Sequence, residues 1–118
     1  MTRYNIPKAP KHKKIVKTEG YDRGKKPSAL ERFHLERVCT LPSIVSRTEP
    51  AGVAHHLLRP HRSHRKVVAL THEEHTALHL RGSEEGYFMD QYINYRDVHL
   101  WADREWEISK QLYRHRKA

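Results

Sequence analysis

Seven of the eleven histidines in this chain fall between residues 55 and 79. They are His55, His56, His61, His64, His72, His75 and His79. His75 and His79 stand at i and i+4, which on a helix places both imidazoles on one face. His55-His56 closes an apolar stretch that begins at Val53. Two ligands from one helix turn and one from a facing strand make a three-ligand divalent metal site. Such a site keeps open positions for water and a phosphate oxygen. Adjacent residues on a strand point to opposite faces. One of His55 and His56 can therefore hold the ion while the other activates a water.

A second chemistry uses the same helix pair. In His-Glu-x-x-His peptidases the glutamate after the first histidine is the general base. Thr76 follows His75 here, and Glu73 and Glu74 precede it. Peptidase chemistry is therefore not expected. The plainer alternative is a set of histidines decorating a basic surface that faces nucleic acid. A strand pair and a helix pair separated by a further strand favour metal.

Local signals supply the elements that must hold these residues. Ser28 with Glu31 three positions later reads as a capping box opening a helix over 29–38. Leu30, Phe33, Leu35 and Val38 give it a partly apolar face, and Pro42 ends it. Ser43 to Ser46 is expected as a short extended segment. Glu49-Pro50-Ala51-Gly52 is a turn signal. Val53 to His56 and Lys66 to Leu70 read as strands joined by a basic loop over 57–65. Thr71 and Glu74 form a second capping box, opening a helix over about 72–80 that Gly82 stops. Ser83 caps a short element through Tyr92, and Glu84-Glu85 reads as charge at its N-terminus, not as a catalytic pair. A last helix spans about 95–114, carrying Val98, Trp101, Trp106, Ile108 and Leu112. The two tryptophans are five apart, so one is expected in the core and the other at the surface.

Charge sets the partner class. The chain has 118 residues, 23 Lys+Arg against 14 Asp+Glu, and a formal net charge of +9. Only 36% of residues are hydrophobic, too few for a large core or a cofactor-burying doubly wound fold. No apolar run is long enough to span a membrane, and the N-terminal charge has no apolar stretch behind it, so no secretory signal is expected. One cysteine, Cys39, rules out an internal disulfide and any multi-cysteine zinc site, and reads as a small buried residue at a helix end. An intracellular, cytoplasmic protein is expected. Residues 1–28 hold nine basic side chains and two acids, with three prolines. This stretch reads as a basic arm for phosphates, carried by Lys8, Lys11, Lys13, Lys14, Lys17, Arg23, Lys25 and Lys26. Tyr4 and Tyr21 within it could stack on bases. Residues 29–118 form the folded domain. Arg114 to Lys117 form a basic tail, expected to be solvated or to make a second phosphate contact.

His-His, a loop, a strand, then His-x-x-x-His on a helix resembles the ββα-metal (HNH) nucleases. The resemblance is closer to the recombination-enhancement (Ref-like) branch of phages and prophages. It runs from Leu35 to Phe88 and continues to a tryptophan-bearing helix, behind a lysine-rich arm. It implies an α+β fold: a small ββα-metal core with flanking helices and a largely extended arm. It implies that His55, His75 and His79 ligate one divalent ion, with Mg²⁺ expected for catalysis and Zn²⁺, Mn²⁺ or Ni²⁺ as alternatives. His56 matches the general base that deprotonates the attacking water. The implied activity is hydrolysis of DNA phosphodiester bonds, in phage recombination or DNA processing, in the host cytoplasm if the chain is phage-encoded. RNA stays open as a substrate.

Two departures from that branch bear on the expectation. Relatives carry Cys-x-x-Cys where this chain has Ser43 to Ser46, and Cys-x-x-His where it has Thr71 to Glu74. Hydroxyls are poor zinc ligands beside thiolates, so no structural zinc is expected. Leu41, Ile44, Val45 and Val68 must close the core instead. Lys66 stands where relatives have Asn or Asp to orient the base, and Lys has no acceptor. His64, Arg65 and Lys66 remain as candidates for phosphate contact or base orientation. The competing reading is an HNH-derived protein that binds nucleic acid, or joins a nucleoprotein assembly, without cutting it.

Overall fold

The computed structural model describes residues 25–117, and it is a small α+β domain. The arm residues Lys8, Lys11, Lys13, Lys14, Lys17 and Arg23 lie outside the described residues, while Lys25 and Lys26 are within them and exposed. Helix α1 spans Ala29–Thr40 and starts at the Ser28–Glu31 capping box, with both reciprocal bonds made. Its buried stripe is Glu31, His34 and Val38; of the apolar set expected from the sequence, Val38 is in the core with Leu35 packed beside it, while Leu30 and Phe33 are only half-buried. The reason lies across the interface. α1 meets the long helix α4, Tyr95–Lys117, through polar groups. His34 Nδ1 lies 2.6 Å from Ser109 Oγ, and Arg37 donates to Ser109 Oγ and to the Glu105 carboxylate. Phe33 packs instead on Tyr113. Helix α4 continues through the basic residues expected as a tail, and the Arg116 guanidinium sits 5.0 Å over the Phe33 ring.

Residues 43–46 are a turn, not the extended segment expected. Ser43 Oγ accepts from the amides of Val45 and Ser46, a local closure that competes with strand geometry. Gly52, at φ +101°, completes the reversal into the sheet. Strands β1 (Val53–His56) and β2 (Val67–Leu70) pair antiparallel, with His55 opposite Val68 and His56 opposite Val67. All four residues of β2 are buried, so both faces of this small sheet are covered. On one face Val68 and Leu70 pack with Leu57, Leu78, Phe88 and Val98. On the other Val67 and Ala69 pack with Val38 and Ala51. Trp101 is half-buried and touches both clusters, while Trp106 is half-buried against the His34 ring. Ile44 and Val45 join the first cluster and Leu41 the second.

Helix α2 spans His72–Arg81, begins at the Thr71–Glu74 capping box and ends at Gly82 in the left-handed region. Helix α3, Glu84–Asp90, follows directly and is two residues shorter than expected. Its N-cap is Ser83. No described helix is long and apolar enough to cross a membrane.

Candidate metal centre

The sheet register and the helix repeat bring three histidines together. His55 is on the β1 face that looks toward α2 and α3. One offered nitrogen from each of His55, His75 and His79 lies within 4.8 Å of the others. His75 Nε2 and His79 Nε2 are 3.1 Å apart, and the His55 ring centroid is 5.1 Å and 5.8 Å from theirs. Ligand nitrogens about 2.1 Å from a tetrahedral ion sit about 3.4 Å from one another. The helix pair is near that spacing, and the His55 nitrogen lies within 4.8 Å of both. His55 is buried, His75 half-buried and His79 exposed, so the cluster opens on one side to solvent. Burial, then the neighbouring His55, His79 and His72, hold the His75 imidazole below its ordinary pKa, which favours the neutral, ligating form.

Glu84 is the residue that sequence reasoning missed. It reads locally as N-terminal helix charge, yet its side chain is only 4% exposed. Its Oε2 lies 2.6 Å from His55 Nε2, and both oxygens accept from the Leu58 amide. The Tyr95 hydroxyl donates to Oε1. Burial alone would raise the Glu84 pKa, but the bonds from His55, Tyr95 and Leu58 outweigh it and hold the carboxyl below the usual range. Burial and the Glu84 carboxylate push the Tyr95 phenol well up, so it stays a donor. An ionised carboxylate only accepts. His55 therefore carries its proton on Nε2, and its lone pair on Nδ1 is the one available to an ion. Neighbouring Glu85 is exposed. The one signal in the sequence is generic: a buried ligating histidine needs an acceptor for its second nitrogen.

His56 is on the opposite face of β1. Its Nε2 lies 3.0 Å from His64 Nδ1, and the two rings meet edge to face at 5.2 Å. The other nitrogen of His64 lies 2.9 Å from the Lys25 carbonyl. The two further candidates point elsewhere. Arg65 pairs with Glu31 at 2.9 Å and lies over Trp106, and Lys66 pairs with Asp103 of α4 at 3.1 Å. Of the three residues considered for orienting His56, the structure places His64 against it.

The four residues Ser43, Ser46, Thr71 and Glu74 converge at the start of α2. Ser43 Oγ donates to Glu74 Oε1 at 2.5 Å, and the same oxygen accepts from the Thr71 amide. Burial acts to raise the Glu74 pKa, but bonds from Ser43, Ser46 and Thr71 dominate and lower it. An ionised carboxylate thus ties the 43–46 turn to the helix that carries His75 and His79. Cys39 is half-buried, and burial pushes its thiol up. No known family profile matches the chain, and comparison with curated proteins and with solved structures likewise finds no match.

Proposed function

We propose that the chain is a metal-dependent endonuclease of the ββα-metal (HNH) type, acting on DNA. The observation that carries this reading is the joint placement of His55, His75 and His79 around one point, with His56 next in the strand and held by another histidine. The donor set fits a divalent ion: three imidazoles, one of them braced by a buried carboxylate, in the arrangement of a site with open positions. Such an ion, when bound, supplies Lewis-acid stabilisation of the scissile phosphate and of the leaving 3′-oxygen. Imidazole ligands suit Zn²⁺, Mn²⁺ or Ni²⁺ at least as well as Mg²⁺.

The remaining roles belong to the chain's own residues. His55, His75 and His79 hold the ion. His56 takes the proton of the attacking water, which requires a neutral ring. The net charge of +9 supplies sequence-independent affinity for the phosphate backbone. A non-cutting nucleic-acid-binding protein is the second reading, favoured by Lys66, whose ammonium turns to Asp103 and offers His56 no acceptor.

The test is supercoiled plasmid incubated with the full chain in EDTA, Mg²⁺, Mn²⁺ or Zn²⁺. The nuclease reading expects relaxed circles in at least one metal and none in EDTA. A gel shift without cutting in every metal would leave the binding reading in its place.

A further inference from the structure

We propose that His64 is a positioning residue for His56, and that the backbone at the root of the N-terminal arm completes the device. The consequence for rate rests on the nuclease reading above; the hydrogen-bond order does not.

The Lys25 carbonyl oxygen only accepts, so His64 Nε2, 2.9 Å away, carries a proton. In the neutral ring the lone pair of His64 is then on Nδ1. That atom faces His56 Nε2 at 3.0 Å. The proton between them belongs to His56 Nε2, and the basic lone pair of His56 is on Nδ1. One backbone oxygen thus sets the tautomers of two rings in series. A lone imidazole divides its proton between both nitrogens, and general-base catalysis needs the proton on a defined one.

The scaffold around His64 is built to keep this order. His64 is held between two anchored neighbours. Ser63 is buried, and its side chain and carbonyl accept from the amides of Arg65 and Lys66. The Arg65 side chain is held by Glu31 Oε2. The other oxygen of Glu31 accepts the Ser28 amide as part of the α1 capping box. A single carboxylate therefore ties the loop carrying His64 to the helix start three residues beyond Lys25. Half of the Arg65 side chain stays exposed beside this ion pair. His64 supplies what Lys66 lacks: an acceptor for His56, delivered from two positions earlier in the chain.

Long-range ¹H–¹⁵N spectra of the histidine side chains, in EDTA-treated full-length protein at about pH 8, read the tautomers directly. Protons on Nε2 of both His56 and His64 are expected. In His64→Ala the His56 ring should move to a mixture of tautomers. His64→Asn, whose Oδ1 takes the place of the ring Nδ1 as an acceptor for His56, should keep the Nε2 proton. In plasmid nicking, His64→Ala should lower kcat about 10- to 100-fold with KM and metal affinity unchanged, and His64→Asn should restore most of the rate. A His56 proton on Nδ1, or tautomers and kcat unchanged in His64→Ala, would overturn the proposal. Absence of nicking by the wild type with the expected tautomers would sink the nuclease reading and leave the hydrogen-bond order standing.

Discussion

The Glu84 carboxylate accepts the Nε2–H of His55 at 2.6 Å across 29 residues of sequence, with both side chains out of solvent. That bond orients the one buried histidine of the cluster and presents its Nδ1. Glu84→Gln should weaken Zn²⁺ binding about 10- to 100-fold by titration calorimetry. Glu85→Gln, one residue on and exposed, should leave the affinity within error. Equal effects from the two would remove Glu84 from the site.

Metal binding should stabilise the fold, because the three ligands come from β1 and α2 and meet only in the folded chain. With Zn²⁺ at 100 times its Kd the gain is about 2.7 kcal/mol. For a domain of this size that raises Tm by on the order of 10 °C. In His75→Ala the zinc-dependent shift should vanish while the metal-free Tm changes little, since His75 lies only partly buried at the mouth of the cluster.

The hydrogen-bonded closure at the start of α2 should matter more to stability than its exposed surroundings suggest. Ser43 is fully buried and bonds Glu74 and two amides. Ser43→Ala removes the acceptor of two amides and one of the bonds to Glu74, which keeps the Thr71 amide, and should cost about 1–3 kcal/mol in urea unfolding. Ser46→Ala, at an exposed position, should cost less.

His34 gives the fold a pH dependence of known sign. Burial, then the Arg37 charge, lower its pKa from 6.5 to about 4. The unfolded chain takes up a proton near 6.5, whereas the folded one resists until about 4. Stability should therefore fall as pH drops through that window, by on the order of 2–3 kcal/mol from this residue. His34→Gln should flatten the slope of unfolding free energy between those limits. An unchanged slope would assign the acid sensitivity to other groups.

How much of this was legible in the sequence follows the range of each interaction. The capping boxes at Ser28 and Thr71 and the stop at Gly82 are local signals, and the helices begin and end there. The β-branched run at Val67 marks its strand, and the i, i+4 pair His75–His79 faces one way as a helix demands. What was not legible depends on distant partners. The polar face of α1 makes sense only with Ser109, 75 residues away from His34. The same holds for Glu84, whose partner His55 is on another element, and for Arg65 and Lys66, whose charges are satisfied by Glu31 and Asp103. The 43–46 turn was misread for another reason: its hydroxyl satisfies the backbone locally, which apolar patterning does not register.

In the proposed nuclease two adjacent residues divide the labour: His55 for the ion and His56 for the water. The most direct measurement is plasmid nicking by His56→Ala beside its zinc affinity and its plasmid affinity. Both affinities should stay near wild type while nicking, active in the wild type with metal, falls by a factor of about 100 or more. Wild-type nicking rates in His56→Ala, or loss of zinc binding together with activity, would rule out this division.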